Sequence, residues 1–262
     1  MGFSAEWLAL REPADRAARD PALARRAVAA AGPEPLIVDL GCGTGATWRA
    51  LAPQLPAGAR WCFVDNDPAL LARAVAAAGD AAEAVAADIA DLEALPLAGA
   101  TLVTASALLD LVPEAWVRRL TLRLSVPFYA ALSYDGAMRW DPPDPRDAAV
   151  TAAFNRHQRG DKGFGPALGP AAGARAAALL AAAGFAVQRA DSPWRLGPEL
   201  AALQRALTDG IAGAAAAAGA PEAVAWGRHR RERARGSVCV VGHGDILALP
   251  RAGTDRSRHA VR

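Results

Sequence analysis

The stretch Leu36-Ile37-Val38-Asp39-Leu40-Gly41-Cys42-Gly43-Thr44-Gly45-Ala46 decides the fold. A short apolar run at its start predicts a buried strand, and a helix-like segment begins after its three alternating glycines. Glycines at these positions allow bare backbone to come close to a ligand. Because open α/β sheets bind ligands beyond the carboxyl ends of their strands, we expect a ligand site here.

The remaining chain alternates apolar runs with helical patterns, which predicts βαβ units and a parallel sheet. Further strands are predicted at residues 60–65, 82–87, 100–105, 126–132, 185–190 and 237–242. Helices are predicted within residues 3–31 and at residues 46–52, 68–78, 113–124, 171–183, 198–207 and 221–235. From Met138 to Pro170 the regular pattern fails, and residues 154–165 are expected to form a polar, irregular loop.

We expect one domain over residues 1–250, because a chain of 262 residues suits a single α/β domain with insertions. Its expected parts are a helical cover at residues 1–33 and insertions at residues 137–170 and 192–236. The polar and basic residues 251–262 are expected to be a disordered tail.

Composition excludes several classes of protein. The net charge of +2 favours no particular partner, and no segment approaches the length and apolar character of a membrane span. Cys42, Cys62 and Cys239 are odd in number and far apart, so we expect reduced packing residues, no disulfide framework and no metal site. Together with an N-terminus that lacks a signal pattern, these features predict a cytoplasmic protein.

Two ligands compete for the glycine stretch. The segment from Gly41 to Ala46 satisfies the dinucleotide fingerprint, and Asp65 at the end of the second predicted strand is placed to bind a ribose. However, the carboxylate of Asp39, two residues before the first glycine, would repel a diphosphate. It suits a ligand that carries a positive amino group beside a ribose.

The residues Asp39-Leu40-Gly41-Cys42-Gly43-Thr44-Gly45, with Asp65 and Ala87-Asp88-Ile89, resemble the class I S-adenosylmethionine-dependent methyltransferases. The resemblance covers roughly residues 34–135. It implies a three-layer α/β sandwich with a seven-stranded, mostly parallel sheet, an antiparallel last strand and, in this chain, an N-terminal helical cover.

The resemblance also implies S-adenosylmethionine as the cofactor and assigns roles to matching positions. Asp65 is expected to accept hydrogen bonds from the ribose hydroxyls, with Asn66 near the adenine. Asp88 is expected to contact the adenine amino group, with Ile89 beside it, and Ser106 to lie near the methionine end. The full set of expected cofactor-binding residues is Asp39, Gly41, Cys42, Gly43, Gly45, Asp65, Asn66, Asp88, Ile89 and Ser106.

Two classes of acceptor chemistry are disfavoured. Enzymes that methylate the exocyclic amines of nucleobases carry an Asn/Asp-Pro-Pro-aromatic turn after strand four, where this chain has Ser106-Ala107-Leu108-Leu109. Asp141-Pro142-Pro143-Asp144 follows strand five and lacks the aromatic residue. Enzymes that methylate C5 of pyrimidines need a nucleophilic cysteine, usually after a proline, and none of the three cysteines qualifies.

The segment Phe154–Gly165 departs most from the alanine- and arginine-rich background, and it contains the only lysine of the chain. It follows strand five, where the family commonly inserts acceptor-binding structure. We therefore expect His157 or Lys162 to orient or deprotonate the acceptor. The expected acceptor-binding residues are Tyr134, Asp135, Trp140 and Asn155. The alternative is an ordinary surface loop.

The basic run from Arg228 to Arg235 suits either contact with phosphates or a solvated helix face, and the arginine-rich background favours the second. The preferred function is methylation of a small molecule. A methyltransferase acting on RNA or protein is the second possibility, and a cofactor-binding partner protein without catalysis is the third.

Overall fold

The computed structural model describes residues 3–251 and has one mixed sheet flanked by helices on both faces. The strands lie in the order β3-β2-β1-β4-β5-β8-β6, and the short β7 pairs with β8 beside this path. Strands β1 to β5 are mutually parallel, whereas β8 runs antiparallel to β5, β6 and β7. The predicted fold class is confirmed, with one strand more than expected.

The strands have the following bounds: β1 Leu36–Leu40, β2 Arg60–Asp65, β3 Ala82–Ala86, β4 Leu102–Ser106, β5 Phe128–Asp141, β6 Phe185–Asp191, β7 Trp194–Leu196 and β8 Val238–Pro250. The α-helices are α1 Ala5–Ala18, α2 Pro21–Ala30, α3 Ala46–Leu51, α4 Pro68–Ala78, α5 Glu114–Arg123, α6 Asp147–Gln158, α7 Ala172–Ala182, α8 Ala201–Ala217 and α9 Glu222–Arg233. None of the helices between residues 3 and 251 has the length and apolar character needed to cross a bilayer.

The central strands are apolar because both of their faces are covered. Val38 and Leu40 of β1 pack into one cluster with α5 and α7, whereas Ile37 packs into the opposite cluster with α2 and α4. Alternate residues of one strand thus serve two cores. This arrangement explains why the β1 run is nearly free of polar residues, and it makes the buried Asp39 exceptional.

Strands β5 and β8 extend well past the sheet edge at which β4 ends. Ala131 pairs with Ser106, the last residue of β4, but β5 continues to Asp141 and pairs there with Val238. The predicted strand ends, at residues 132 and 242, were therefore wrong. The two strands pair as an antiparallel ribbon that is interrupted by register shifts. The region contains residues typical of turns, so its sequence does not show the alternation expected of a strand.

The expected loop at residues 154–165 was partly wrong, because α6 continues to Gln158. Its buried residues Val150 and Ala153 are spaced by three, as one face of a helix requires. Alanines on the other faces weaken this periodicity and hide it in the sequence. The expected tail at residues 251–262 lies, apart from Arg251, outside the described residues.

Helix α2 packs on one face of the sheet, and the junction between α1 and α2 lies beside the carboxyl ends of the central strands, where polar contacts fix it. Ser4 caps α1 and Asp20 caps α2 through side-chain oxygens that accept backbone N–H groups. The backbone N–H of Asp20 in turn donates to the carboxylate of Asp245 on β8, at 3.0 Å. The junction between the two helices is thereby held beside the ends of the central strands.

Candidate functional site

The glycine loop joins β1 to α3 in a conformation that requires its glycines. Gly41, Gly43 and Gly45 have φ angles of 64°, 54° and 82°, in the left-handed region that other L-residues rarely adopt. Gly45 also occupies the N-cap position of α3 and provides no side-chain cap. The loop therefore exposes backbone near a helix N-terminus at the carboxyl edge of the sheet.

Asp65 links the end of β2 to this loop. Its Oδ2 accepts a hydrogen bond from the backbone N–H of Gly43 at 2.9 Å, and its Oδ1 accepts one from the N–H of Asp67 at 3.0 Å. A carboxylate has about four lone-pair positions, so both oxygens keep capacity for donors from a ligand. Asp65 is half-buried, whereas Asp67 serves as the N-cap of α4.

Asp39 is fully buried at the adjacent strand end. Thr104 of β4 donates to its Oδ1 at 2.7 Å, but Oδ2 has no hydrogen-bond partner. Burial raises the pKa of Asp39 to about 7, while the Thr104 hydrogen bond and the positive charge of Arg19 act in the opposite direction. A buried carboxylate oxygen without a partner is costly, and its position favours a cationic or N–H ligand.

Ser106 ends β4 and lies among polar side chains from three elements. Its Oγ accepts from Arg19 Nη2 at 3.1 Å and from Thr47 Oγ1 of α3 at 3.1 Å. Arg19 follows α1, is buried, and has no partner for Nε or Nη1. Asp39, Ser106 and Arg19 thus place acidic, neutral and basic groups along one edge of the sheet.

The residues predicted near the adenine are more open to solvent. Asn66 and Asp88 are exposed, and Asp88 accepts the N–H of Ala90 at 2.9 Å in a tight turn. Ile89 is half-buried, and its carbonyl accepts the indole N–H of Trp116. Free carboxylate positions on Asp88 remain directed at solvent beyond β3.

Cys42 lies inside the loop and is buried. Burial raises the pKa of its thiol, so the residue remains a neutral packing group. Its side chain packs into the core cluster on the α2 and α4 face of the sheet. Its contact with a ligand stays a prediction that involves the backbone.

Helix α1 covers the glycine loop. A Cβ atom added to Gly43 would approach Leu8 Cδ1 to 3.0 Å, so this helix packs directly over the loop. Glu12 of α1 accepts hydrogen bonds from Arg49 of α3 at 2.6 and 2.7 Å, and Arg49 also donates to the carbonyl of Thr44. This ion pair connects the helical cover to the loop.

The two residues predicted to be catalytic lie close together. Lys162 donates to the carbonyl of His157 at 3.2 Å, and its Nζ is 3.5 Å from Nδ1 of the same residue. Burial lowers the pKa of both side chains, and the positive charge of Lys162 lowers that of His157 further. Both shifts are toward the neutral form, the form in which a side chain can accept a proton.

The predicted acceptor-binding residues fall into separate environments. Tyr134 donates its hydroxyl to Asn155 Oδ1 at 2.8 Å, and Asn155 donates to the carbonyl of Gly136. Asp135, the next residue on the strand, is exposed and accepts the N–H of Ala137. Strand alternation directs Tyr134 and Asp135 to opposite faces, so a single pocket cannot use both side chains in this arrangement.

Trp140 is buried between the ribbon and α9. Its ring meets Trp226 edge-on, with centroids 5.4 Å apart, and the guanidinium of Arg230 lies over it at 5.1 Å. Trp140 and Asn155 are both among the residues that line an open cavity of about 380 Å³ between β5 and α6. The contacts with Trp226 and Arg230 explain why the Trp140 side chain is buried, and its role in acceptor binding stays a prediction.

Asp110 was not among the predicted site residues, although it follows β4 by only four positions. Its Oδ1 is buried without a hydrogen-bond partner, and burial raises its pKa to about 6. The positive charges of Arg11 and Lys162 lower that pKa. No motif marks Asp110 in the sequence, because the proximity of Arg11 and Lys162 arises only when α1 and the segment after α6 pack together.

Three of the six basic residues between Arg228 and Arg235 are engaged within the protein. Arg230 is buried and forms an ion pair with Asp147 of α6, while Arg231 pairs with Asp209 of α8. His229 lies 3.6 Å from the carboxylate of Asp144. These contacts hold α9 against its neighbours. The paired residues are therefore less available for phosphate binding than the basic run in the sequence indicates.

Comparisons with known proteins agree with this geometry. Residues 37–124 match the family model described as a methyltransferase domain, which confirms the resemblance predicted from the sequence. The YcgJ protein from Bacillus subtilis superposes with a TM-score of 0.51 at 13% identity, over 87% of this chain and 98% of that chain. Geranyl diphosphate methyltransferase, solved in complex with S-adenosylmethionine, gives a TM-score of 0.50 at 13% identity, over 88% and 84%. No curated protein matches the sequence significantly.

The residues at the loop fit S-adenosylmethionine. The left-handed glycines carry no side chains of their own that would hold a ligand away from the backbone, and the unpartnered Oδ2 of Asp39 suits the ammonium group of an amino acid. A diphosphate would meet this buried carboxylate instead of a donor. The fold and the family match together support S-adenosylmethionine as the cofactor.

Proposed function

We propose that the protein, whose residues 37–124 match a methyltransferase domain, transfers the methyl group of S-adenosylmethionine to a small-molecule acceptor. The observation that carries the cofactor side is the unpartnered Oδ2 of the buried Asp39 beside the left-handed glycine loop. Asp65 supports it from the adjacent strand, where its carboxylate fixes the loop at Gly43.

When bound, S-adenosylmethionine supplies an electrophilic methyl carbon on a sulfonium. The lone pair of the acceptor forms the new bond to that carbon as the carbon–sulfur bond breaks, and the electron pair remains on sulfur in S-adenosylhomocysteine. The protein has to hold the acceptor in line with this bond and to take up any proton that the acceptor releases.

Three groups on the acceptor side can hold that proton. Asp110 has a pKa raised to about 6, so its carboxylate is mostly ionised at neutral pH and still retains basicity. His157 and Lys162, with lowered pKa values, lie in the same charged cluster because Lys162 and Asp110 interact electrostatically. We propose Asp110 as the proton acceptor and Lys162 as the group that orients it.

A small acceptor is favoured over a macromolecule by the way the edge is covered. Helix α1 packs over the glycine loop through Leu8 and is tied to α3 by the Glu12–Arg49 ion pair. A helix fixed over the loop obstructs the approach of a bulky acceptor more than that of a small one. The internal pairs of Arg230 and Arg231 also remove charges that RNA binding would use.

The proposed location is the cytoplasm. It rests on the free, buried thiols of Cys42, Cys62 and Cys239.

The function is tested by incubating the protein with S-adenosylmethionine labelled on its methyl group and with cell extract. The reaction is then separated into small-molecule, RNA and protein fractions. We expect label in the small-molecule fraction, and none with the Asp65→Ala variant. Label confined to RNA or protein would support the second function, and cofactor binding without transfer to any fraction would support the partner-protein alternative.

A further inference from the structure

We propose that Arg19 binds the carboxylate of the amino-acid part of S-adenosylmethionine, so that the junction between α1 and α2 completes the cofactor site. This inference rests on the proposed function. It assigns a binding residue outside the matched domain, since Arg19 precedes residue 37 by 18 positions.

The first observation is the unused hydrogen-bonding capacity of Arg19. The residue is only 8% exposed, yet of its three guanidinium nitrogens only Nη2 has a partner, the hydroxyl of Ser106. Nε and Nη1 are buried and unpartnered. Buried guanidinium N–H groups are costly when they lack acceptors. Ser106 accepts only one of the two N–H groups of Nη2, so Nη2 together with Nε, or together with Nη1, presents a fork that matches the two oxygens of a carboxylate.

The neighbouring acids do not use these donors. Asp245 accepts hydrogen bonds from the N–H of Asp20, the hydroxyl of Tyr129 and the N–H of Leu132, all at 2.9 to 3.0 Å. Asp39 is engaged on one side by Thr104. Asp245 is therefore occupied by other donors, and Asp39 accepts from Thr104 and not from Arg19, while the negative charge of Asp39 is close enough to interact with Arg19.

The second observation is that a buried base with free donors and a buried acid with a free acceptor lie along one edge of the sheet. Arg19 leaves N–H donors free, and Asp39 leaves Oδ2 free. An α-amino acid carries a carboxylate and an ammonium group on one carbon, so a basic and an acidic residue with free atoms recognise it as a pair. The hydroxyls of Ser106 and Thr47, 3.1 Å apart, lie beside Arg19 and fix its guanidinium.

The guanidinium is held in place before any ligand binds. It lies over the ring of Tyr129 with its central carbon 5.7 Å from the centroid. The adjoining Asp20 is fixed on two sides, because it caps α2 and donates its N–H to Asp245. A rigid position of this kind reduces the entropy that binding has to overcome.

Calorimetric titration of the full chain with two ligands tests the inference. S-adenosylhomocysteine contains the amino-acid part, whereas 5′-methylthioadenosine lacks it. We expect Arg19→Met to weaken S-adenosylhomocysteine binding by about 10- to 100-fold, while the affinity for 5′-methylthioadenosine changes less than about threefold. Arg25→Met, at an exposed arginine of α2, is the matched control and should change neither affinity.

A third ligand identifies the group that Arg19 recognises. Decarboxylated S-adenosylmethionine keeps the ammonium group, so the wild-type protein should bind it more weakly than S-adenosylmethionine, and Arg19→Met should bind the two nearly equally. An equal loss for both titrated ligands, or no loss, overturns the inference and assigns Arg19 a structural role. Wild-type protein that binds none of the adenosyl ligands overturns the proposed function itself.

Arg19→Lys keeps the inference testable if the methionine variant does not fold. It preserves the buried charge but removes the forked pair of donors. We expect a selective loss of about 3- to 10-fold in S-adenosylhomocysteine affinity, with 5′-methylthioadenosine again unaffected. Unchanged binding of both ligands by a folded Arg19→Lys protein would contradict carboxylate recognition by the fork.

Discussion

The carboxylate of Asp65 accepts a hydrogen bond from the backbone N–H of Gly43, with 2.9 Å between Oδ2 and N. This bond ties the end of β2 to the glycine loop that follows β1, so two parallel strands present one continuous surface. The same carboxylate accepts the N–H of Asp67 at the start of α4. Asp65 therefore shapes the loop and, in the proposed function, also binds the ribose.

Asp65→Ala should weaken S-adenosylhomocysteine binding strongly, because it removes both the ribose acceptor and the support of Gly43. Hydrogen bonds to a charged group contribute about 1.5 to 3 kcal/mol each, so we expect a loss of at least about 30-fold in Kd. Calorimetry measures it. The matched control is Asp67→Asn, which keeps a good N-cap for α4 and should stay within about threefold of wild type. Equal losses in the two variants would remove the proposed role of Asp65.

Asp39 should make stability depend on pH. Its pKa is about 7 in the folded protein and about 4 in an unfolded chain. Between these values the folded state holds the proton more tightly, so the free energy of unfolding should fall as pH rises from about 4 to 7, by a few kcal/mol. Denaturation of wild type and Asp39→Asn at several pH values measures this, and the difference between them isolates Asp39. A difference independent of pH would contradict the assignment.

Cofactor binding should also depend on the ionisation of Asp39, but whereas folding favours its protonated form, binding should favour its ionised form. An ammonium group beside Oδ2 favours the ionised form of Asp39, so the affinity for S-adenosylhomocysteine should decrease as pH falls below about 7. At pH 6, binding should release up to one proton. Calorimetry in two buffers that differ in ionisation enthalpy counts this proton, and binding of 5′-methylthioadenosine serves as the control that should release none.

Gly43→Ala should destabilise the protein and reduce cofactor affinity. The residue has a φ of 54°, and a Cβ there would lie 3.0 Å from Leu8 Cδ1. The left-handed conformation alone costs about 1 to 2 kcal/mol in a residue with a Cβ. Thermal unfolding and calorimetry measure both effects. Gly58→Ala is the control, because a Cβ at Gly58 has no heavy atom within 4 Å and its φ is not positive.

Asp110→Asn should separate acceptor chemistry from cofactor binding. If Asp110 accepts the acceptor proton, methyl transfer in extract should fall by about 100-fold or more, while S-adenosylhomocysteine affinity stays within about threefold. In wild type the rate should rise with pH through about 6, where Asp110 ionises. A variant that retains the wild-type rate would transfer the proposed role to His157.

Of the arginines in and directly after α9, Arg230 should be needed for stability, whereas the exposed ones should not. Arg230→Ala removes the buried ion-pair partner of Asp147, which keeps the hydrogen bonds from Trp226 and the backbone of Asp144, and should destabilise the protein by about 3 kcal/mol, measured by denaturant unfolding. Replacement of the exposed Arg228, Arg233 and Arg235 by Glu should change neither stability nor methyl transfer appreciably. Loss of transfer in that triple variant, at unchanged stability, would favour an RNA acceptor.

Much of the fold could be predicted because the central strands are recognisable from their own local sequence. The bounds of β1 and β2 are those expected from apolar runs that end in Asp39, Leu40 and Asp65. Their burial on both faces leaves few polar residues to blur the pattern. The alternating glycines after β1 likewise predict a left-handed backbone from local sequence alone.

The rest depends on contacts between distant segments. The extension of β5 to Asp141 is stabilised by pairing with β8, about a hundred residues later in the chain, which local propensity does not register. The basic run on α9 looked like a solvated face, but Arg230 is buried because α6 supplies Asp147. Arg19 and Asp110 carry no motif, and only the packed structure shows that their polar atoms lack partners.

The central claim is that the glycine loop binds an adenosyl group with an amino acid and not a dinucleotide. Parallel calorimetric titrations of the wild-type protein with S-adenosylhomocysteine and with NAD⁺ test it most directly. The account predicts saturable, one-to-one binding of S-adenosylhomocysteine that Asp65→Ala weakens, and no detectable binding of NAD⁺. Binding of NAD⁺ without binding of S-adenosylhomocysteine would contradict it.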